Sequence, residues 1–262
     1  AGRKSQKTVT QKDLYESVER ALAGLAKKSR RINPKEKKIV AYHESGHALL
    51  AETTIGAKKV SKVSIVPRGL AALGYTLNTP EENKFMMQQH ELWAEVDVLL
   101  GGRAAEEVFI KEISTGAGND LERATDIIKS MVQTYGMSDV AGLMVLEKSR
   151  HSFLGGYGQS PREYSDKMAE EMDTFIKSSL QARYKIVVER LQEYKGAIEE
   201  IVRLLYKKEN ITGEEVRNII IHFEKENGLT SKVNIVVDDI EEELKTDAAM
   251  AQEAQRGEAD EK

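Results

Sequence analysis

The 262-residue chain contains no cysteine, only four prolines, and no run of apolar residues near the length of a membrane span. Without cysteine it can form no disulfide, no thiol nucleophile and no cysteine-ligated metal site. A membrane-spanning helix needs about 18 to 20 consecutive apolar residues, so we expect the chain itself to be soluble. Positive charge is not in excess either, because 39 Lys and Arg residues stand against 43 Asp and Glu residues. This balance argues against nucleic acid as a partner, since nucleic-acid binding usually needs a basic surface.

The composition favours a mainly α-helical fold with a small β-sheet or hairpin. Hydrophobic residues make up 40% of the chain, which is enough to form a core. Capping signals and apolar spacing predict helices over residues 10–25, 34–53, 85–100, 103–109, 119–136, from 160 onward, and 212–228. Short β-rich segments predict strands at 60–67 and 73–77. Gly101-Gly102 is interpreted as a break between two of the helices, and residues 154–158 as a glycine-rich loop.

The end of the chain is strongly acidic. Residues 238–262 contain ten acidic and three basic residues, a net charge of −7. Few apolar residues follow Leu244. Residues 230–262 are therefore predicted to form a solvated, mobile tail.

The segment His43-Glu44-Ser45-Gly46-His47 has the spacing of a zinc-binding helix. Four residues turn a helix by about 400°, so the two histidines lie on one face and their imidazoles can converge on one Zn²⁺ ion. Glu44 lies about 100° further round the helix, close to the metal. There it could serve as a general base, which takes a proton from a zinc-bound water as that water attacks an amide carbonyl, and then passes the proton to the leaving nitrogen. The pattern thus indicates a metallopeptidase.

A packing role is the alternative for the two histidines, because their helix face is apolar and buried under either interpretation. This face consists of Ile39, His43, His47 and Leu50. Gly46 favours the metal site, since glycine within a helix costs about 1 kcal/mol relative to alanine. We therefore expect another element to approach the helix closely at Gly46.

A catalytic zinc ion usually has a third protein ligand and an open fourth position. Asp120 and Glu106 are both candidates, and composition alone does not choose between them. Asp120 opens a predicted helix, where a carboxylate also interacts well with the helix dipole. Glu106 lies within a helix, where a solvated or ion-paired glutamate is equally ordinary. The remaining histidines, His90, His151 and His222, have no motif around them.

Five segments, taken together, resemble the proteolytic domain of the FtsH-type proteases, which are membrane-anchored AAA zinc metalloproteases. They occur in the order found in that family and span about residues 10–228. The segments are 42–48 (YHESGHA), 66–69 (VPRG) followed by 73–76 (LGYT), 101–107 (GGRAAEE), 114–121 (STGAGNDL) followed by Ala124-Thr125, and 135–138 (YGMS).

The resemblance implies a zincin-like metal helix and a role for each candidate residue. Zinc is bound by His43, His47 and Asp120, with Glu44 as the base. Glu106 then orients a ligand histidine by accepting its free N–H. The strand formed by Leu73, Gly74, Tyr75 and Thr76 offers an exposed edge to which a substrate peptide adds as a further strand. An ordinary edge strand is the alternative for that segment.

The resemblance also implies a longer parent protein. Members of the family carry an ATPase module and membrane spans, form homo-hexamers, and degrade unfolded or membrane-derived polypeptides in protein quality control. The chain contains no G-x-x-x-x-G-K-[ST] phosphate loop, so we interpret it as a protease-domain fragment. Residues 1–32 are predicted to be a linker and the end of the ATPase lid, 33–229 the zinc metallopeptidase domain, and 230–262 the tail. The domain is expected to face the cytoplasm or an equivalent matrix or stromal compartment.

Two other functions stay open on the sequence. One is an assembly or scaffold domain with a vestigial metal site, although a purely structural site has no use for Glu44. The other is a zinc hydrolase that acts on a substrate other than a peptide. Serine chemistry is disfavoured because no G-x-S-x-G segment occurs.

Overall fold

The computed structural model describes Thr8, Val9, Ser17 and residues 33–67, 74–78, 86–146 and 164–233. Within these residues the chain is mainly α-helical with one small sheet, which confirms the predicted fold class. The helices are α1 (Pro34–Thr53), α2 (Gln89–Ala105), α3 (Gly118–Gln133), α4 (Asp166–Glu193), α5 (Lys195–Lys208) and α6 (Gly213–Glu226). The strands are β1 (Val60–Ser64), β2 (Tyr75–Asn78) and β3 (Asn210–Thr212). The acidic residues 234–262 lie outside the described residues, and of the predicted helix 10–25 only Ser17 is described.

Helix α1 begins and ends as predicted. The side chain of Asn33 accepts a hydrogen bond from the N–H of Lys35, and Pro34 occupies the first helical position. From Val40 to Thr53 nearly every residue is buried. The helix is therefore enclosed by the rest of the domain along its C-terminal two thirds, and this part carries His43, Glu44 and His47.

The sheet has the strand order β2-β1-β3, and both pairs are antiparallel. In the centre of the sheet Val63 lies opposite Thr76 on one side and Ile211 on the other. The predicted pairing of the two N-terminal strands is confirmed, with bounds shifted by up to three residues. Strand β3 was not predicted, because three residues carry too little alternation to be recognised. Among the described residues, β2 lies at the edge of the sheet.

The predicted boundaries of α2 and α3 were wrong. Helix α2 begins at Gln89 and not at residue 85, and α3 ends at Gln133 and not at residue 136. Helix α2 runs without a break through Gly101 and Gly102, because these glycines allow close packing on α1. Asn119 does not cap α3, since a 3₁₀ turn at Thr115–Ala117 leads into the helix and Ala117 takes the capping position. Asp120 still falls in the first turn of α3.

One of the two predicted starts of the C-terminal helices is confirmed. Helix α4 begins at Asp166 with Ser165 as its cap, and the predicted start at residue 160 lies outside the described residues. Thr212 and Glu215 form the predicted capping box of α6. No helix of the described residues contains a stretch long and apolar enough to cross a membrane.

Two arginines from the C-terminal half hold the end of α1. Arg190 donates a hydrogen bond to the carbonyl oxygen of Thr53 at 2.6 Å, which satisfies one of the unpaired carbonyls at the helix end. Arg217 lies 2.9 Å from the buried carboxylate of Glu52, which also accepts from the N–H of Val60 at 2.7 Å. Helices α4 and α6 and strand β1 are thereby tied to the helix that carries the candidate site.

Candidate metal centre and active site

Three side chains that can bind a metal converge between α1 and the first turn of α3. Nε2 of His43 lies 3.0 Å from Nε2 of His47, and Oδ2 of Asp120 lies 3.3 Å and 3.5 Å from these two nitrogen atoms. Two donors at the usual distance from a tetrahedral zinc ion are about 3.4 Å apart. The spacing of the three atoms therefore fits one zinc ion. The carboxylate beside the two Nε2 atoms is that of Asp120, not that of Glu106.

The other nitrogen atom of each imidazole faces a hydrogen-bond acceptor. Nδ1 of His43 lies 2.8 Å from Oε1 of Glu106, and Nδ1 of His47 lies 2.7 Å from the carbonyl oxygen of Val98. A carbonyl oxygen can only accept, so Nδ1 of His47 carries a proton, and an ionised Glu106 imposes the same tautomer on His43. In the neutral rings both Nε2 atoms then direct lone pairs toward each other and toward Asp120. Such an arrangement of electron-pair donors suits a cation.

The electrostatics of the centre also favour positive charge. Burial lowers the pKa of His43, but hydrogen bonds to Asp120 and Glu106 outweigh burial and raise the pKa to about 10. Burial alone would raise the pKa of Asp120, but hydrogen bonds from His43 and His47 shift it well below its usual range. The centre therefore holds positive charge strongly, whether as a proton on His43 or as a metal ion.

Glu106 lies where the helix changes from α-helical to π-helical geometry. At the end of α2 the chain continues as a π-helical turn, Glu106–Ile110, and π turns in α-helices are often found at functional sites. The side chain of Glu106 is 1% exposed. Its carboxylate accepts from the N–H of Ser114 at 2.6 Å and from the hydroxyl of Ser114 at 3.0 Å. Burial raises the pKa of Glu106, but the hydrogen bonds from His43 and Ser114 outweigh burial and lower it, so the carboxylate is ionised at neutral pH.

Glu44 lies on the same helix as the two histidines and is 7% exposed. Burial raises the pKa of its carboxyl group, although the neighbouring histidines act in the opposite direction. The hydroxyl of Thr76 donates to Oε2 of Glu44 at 2.8 Å. A buried carboxyl group with a raised pKa is suited to accept and release protons.

Three glycines make room for the centre. A Cβ atom at Gly46 would lie 2.3 Å from the carbonyl oxygen of Gly101, and one at Gly101 would lie 2.8 Å from the carbonyl oxygen of Gly46. The predicted close approach at Gly46 is thus confirmed, and the approaching element is α2. A Cβ atom at Gly102 would lie 2.6 Å from Nε2 of both His43 and His47. Glycine at position 102 therefore leaves space for a ligand at these nitrogen atoms.

The candidate site opens into a cleft of about 1090 Å³. The cleft is lined by residues of helices α1, α2 and α3 and of strand β2. Gly74, Tyr75 and Thr76 are among the lining residues from the β2 segment. The fourth residue of the predicted substrate strand, Leu73, lies outside the described residues. Strand β2 and the candidate metal-binding atoms therefore share one cleft.

Some contacts of the site were not predicted from the sequence. Ser114 donates two hydrogen bonds to Glu106, which in turn contacts His43, and the carbonyl group of Val98 contacts His47. Neither Ser114 nor Val98 shows a sequence signal for this role. Thr76 was predicted to bind substrate through its strand, but the contact of its hydroxyl with Glu44 was not foreseen. Only the tertiary fold brings these groups together.

Comparison with known proteins identifies the family. The model of peptidase family M41 matches residues 30–219, which is more than half of the chain. The chain belongs to peptidase family M41.

Three relatives illustrate the range of similarity to other M41 proteins. The "ATP-dependent zinc metalloprotease FtsH" of Helicobacter felis is 67% identical over 233 residues, which cover 89% of this chain and 36% of that protein. The protein of the same name from Sulfurovum sp. is 58% identical over 234 residues (89% and 35%). That from Thermotoga maritima is 41% identical over 227 residues (86% and 37%). The chain thus spans about a third of the length of these relatives.

Proposed function

We propose that the chain is a zinc-dependent endopeptidase. The observation that carries the proposal is the convergence of two Nε2 atoms and a carboxylate oxygen within 3.5 Å of one another, beside the buried carboxyl group of Glu44. Membership of a peptidase family and the printed names of the relatives support the same conclusion. A scaffold function is not favoured, because it gives no use to Glu44.

Each residue of the site has a defined task in this proposal. His43, His47 and Asp120 hold the zinc ion, and Glu106 holds the ring of His43 with Nε2 toward the metal. The ion, when bound, polarises the scissile carbonyl and activates a water molecule for attack. Glu44 accepts the proton of the attacking water and donates it to the leaving nitrogen, so that the amine departs in neutral form.

The edge of the sheet supplies the substrate-binding surface in this proposal. Strand β2 pairs on one side with β1, and its other side is the edge of the described sheet. An extended peptide that adds to this edge is held by main-chain hydrogen bonds, which depend little on its sequence. We therefore infer that the substrates are unfolded or otherwise extended polypeptides, and that Gly74, Tyr75 and Thr76 contact them together with Leu73.

The function is tested by peptide cleavage with and without a metal chelator. We expect the chain to cleave an unstructured fluorogenic peptide, to lose this activity in the chelator, and to regain it with added zinc. Glu44→Gln removes the base, so kcat should fall by roughly 10²- to 10⁴-fold while the zinc content is unchanged. Full activity in the chelator, or in Glu44→Gln, would contradict the proposal.

The third ligand is tested by zinc affinity in competition with a coloured chelator. We expect Asp120→Asn to weaken zinc binding more than Glu106→Gln, because only Asp120 contacts both Nε2 atoms. Loss of a group that orients a ligand typically costs about 10- to 100-fold in metal affinity, which is the effect expected for Glu106→Gln. Asp126→Asn, an exposed position on the same helix, is the matched control. A larger loss in Glu106→Gln than in Asp120→Asn would overturn the assignment.

We further infer that the chain is the proteolytic part of a longer ATP-dependent protease. The match to about a third of the length of relatives that are named ATP-dependent supports this inference. By the resemblance described above, the longer protein is anchored in a membrane, assembles as a homo-hexamer and holds this domain in the cytoplasm or an equivalent compartment.

A further inference from the structure

Strand β2 also contacts the candidate site through a side chain, and this contact is distinct from its edge in the described sheet. The hydroxyl oxygen of Thr76 lies 2.8 Å from Oε2 of Glu44 and 3.3 Å from the main-chain carbonyl oxygen of Glu44. A threonine hydroxyl carries one proton, so it can donate to one acceptor at a time. The carboxylate oxygen is the nearer acceptor and the stronger one.

The other carboxylate oxygen of Glu44 is also next to β2. A Cβ atom at Gly74 would lie 2.9 Å from Oε1 of Glu44 and 2.6 Å from Cγ1 of Val40. The side chain of Glu44 therefore lies in a narrow space between α1 and the start of the strand. Among the described residues, the hydroxyl of Thr76 is the side-chain donor that contacts this carboxylate.

We propose that Thr76 is a positioning residue for Glu44, and that its hydroxyl links the substrate-binding strand to the general base. This inference rests on the proposed function. The main chain of β2 offers its edge to the peptide, while the side chain of Thr76 fixes the rotamer of Glu44. A peptide that pairs along β2 therefore orders the same strand that orients the base, and part of its binding energy is used for catalysis.

The proposal predicts a specific kinetic pattern for Thr76→Val. Valine has nearly the shape of threonine but carries a methyl group in place of the hydroxyl, and it has a high β-propensity. Position 76 lies opposite Val63 in the sheet, so valine should pack there and the fold should be kept. We expect kcat to fall by roughly 10- to 100-fold, with KM and zinc content close to those of the parent chain. Thr76→Ser restores the hydroxyl and should recover most of kcat. Thr174→Val, which removes an exposed threonine hydroxyl on α4, is the matched control and should leave kcat unchanged.

A binding measurement separates positioning from substrate contact. The affinity of a labelled, uncleaved peptide is measured by fluorescence anisotropy for Glu44→Gln and for the double variant Glu44→Gln/Thr76→Val. If Thr76 acts through Glu44, the two dissociation constants agree within about twofold, since the hydroxyl itself does not hold the peptide. A dissociation constant more than tenfold higher in the double variant would overturn the proposal and make Thr76 a substrate-binding residue.

The outcomes for this inference and for the proposed function are distinct. If the parent chain shows no zinc-dependent cleavage, or if Glu44→Gln is fully active, the proposed function fails. If both of those tests succeed but Thr76→Val keeps the kcat of the parent chain, only the positioning role fails. If Thr76→Ser is as slow as Thr76→Val at the same melting temperature, the hydroxyl is not the group that matters, and the positioning role fails as well.

Discussion

At the scale of single residues, Gly102 has the clearest consequence for metal binding. A Cβ atom at this position would lie 2.6 Å from Nε2 of His43 and of His47, which are the outer atoms of two side chains and not backbone. We therefore expect Gly102→Ala to weaken zinc binding, on the order of 10- to 100-fold. Hydrogen bonds to Glu106 and to the carbonyl oxygen of Val98 hold the two rings, so moving them also costs stability. The preference of a helix for alanine over glycine, about 1 kcal/mol, offsets part of this cost, and the melting temperature of the metal-free variant should fall slightly. Zinc titration and thermal unfolding in chelator check the two effects, and unchanged zinc affinity would contradict the first.

The residues of the site differ in how far the sequence could predict them. His43, Glu44 and His47 lie within five positions on one helix, so helix geometry alone relates them. Asp120 is 77 positions away from His43, and the sequence implied its role only through the family resemblance. The contact of Ser114 with Glu106 depends on the path of the chain after a π turn, for which the local sequence carries no signal.

At the scale of elements, the crossing of α1 and α2 is set by two glycines in contact. The carbonyl oxygen of Gly101 would lie 2.3 Å from a Cβ atom at Gly46, and here the obstacle is backbone. We expect Gly46→Ala to lower the free energy of unfolding by roughly 1–3 kcal/mol, because the helices must separate. Gly118→Ala is the matched control, since a Cβ atom at Gly118 meets nothing within 4 Å. Chemical denaturation of the two variants checks this, and equal stability would contradict the packing argument.

Elements were predictable where the signal is local. The caps at Asn33 and Thr212 satisfy backbone N–H groups within three residues, so they can be read from the chain directly. The glycine pair at 101–102 predicts a break, because helix propensity disfavours glycine. Packing against α1 outweighs that preference, and packing is a property of two elements and not of one. The short strand β3 likewise depends on its antiparallel pairing with β1.

At the scale of the whole molecule, residues 231–233 pack against the helical core. Val233 is buried in the core. The carboxylate of Glu224 accepts from the hydroxyl of Tyr194 at 2.8 Å, from the hydroxyl of Ser231 at 2.7 Å and from the N–H of Lys232 at 2.9 Å. Residues 231–233 thus pack against the region where α4, α5 and α6 meet.

This packing predicts different stabilities for two shortened chains. We expect a chain that ends at Leu229 to be less stable than one that ends at Val237 by about 2–4 kcal/mol, because it exposes core surface and leaves Glu224 with fewer donors. Urea denaturation of both chains, each with zinc and with chelator, measures the difference. Equal unfolding free energies would show that residues 231–233 contribute nothing to the fold.

The position of the three candidate ligands has a consequence for the lifetime of the protein. His43 and His47 belong to α1 and Asp120 to α3, so a zinc ion bound there joins two helices that the unfolded chain keeps far apart. A ligand that binds only the folded state stabilises it by mass action, by about 4 kcal/mol at a thousandfold excess over its dissociation constant. Scarcity of zinc would then reduce both activity and folding stability. Since proteolysis follows the population of the unfolded form, we expect loss of zinc to switch off the active site and to make the chain easier to degrade under the same conditions.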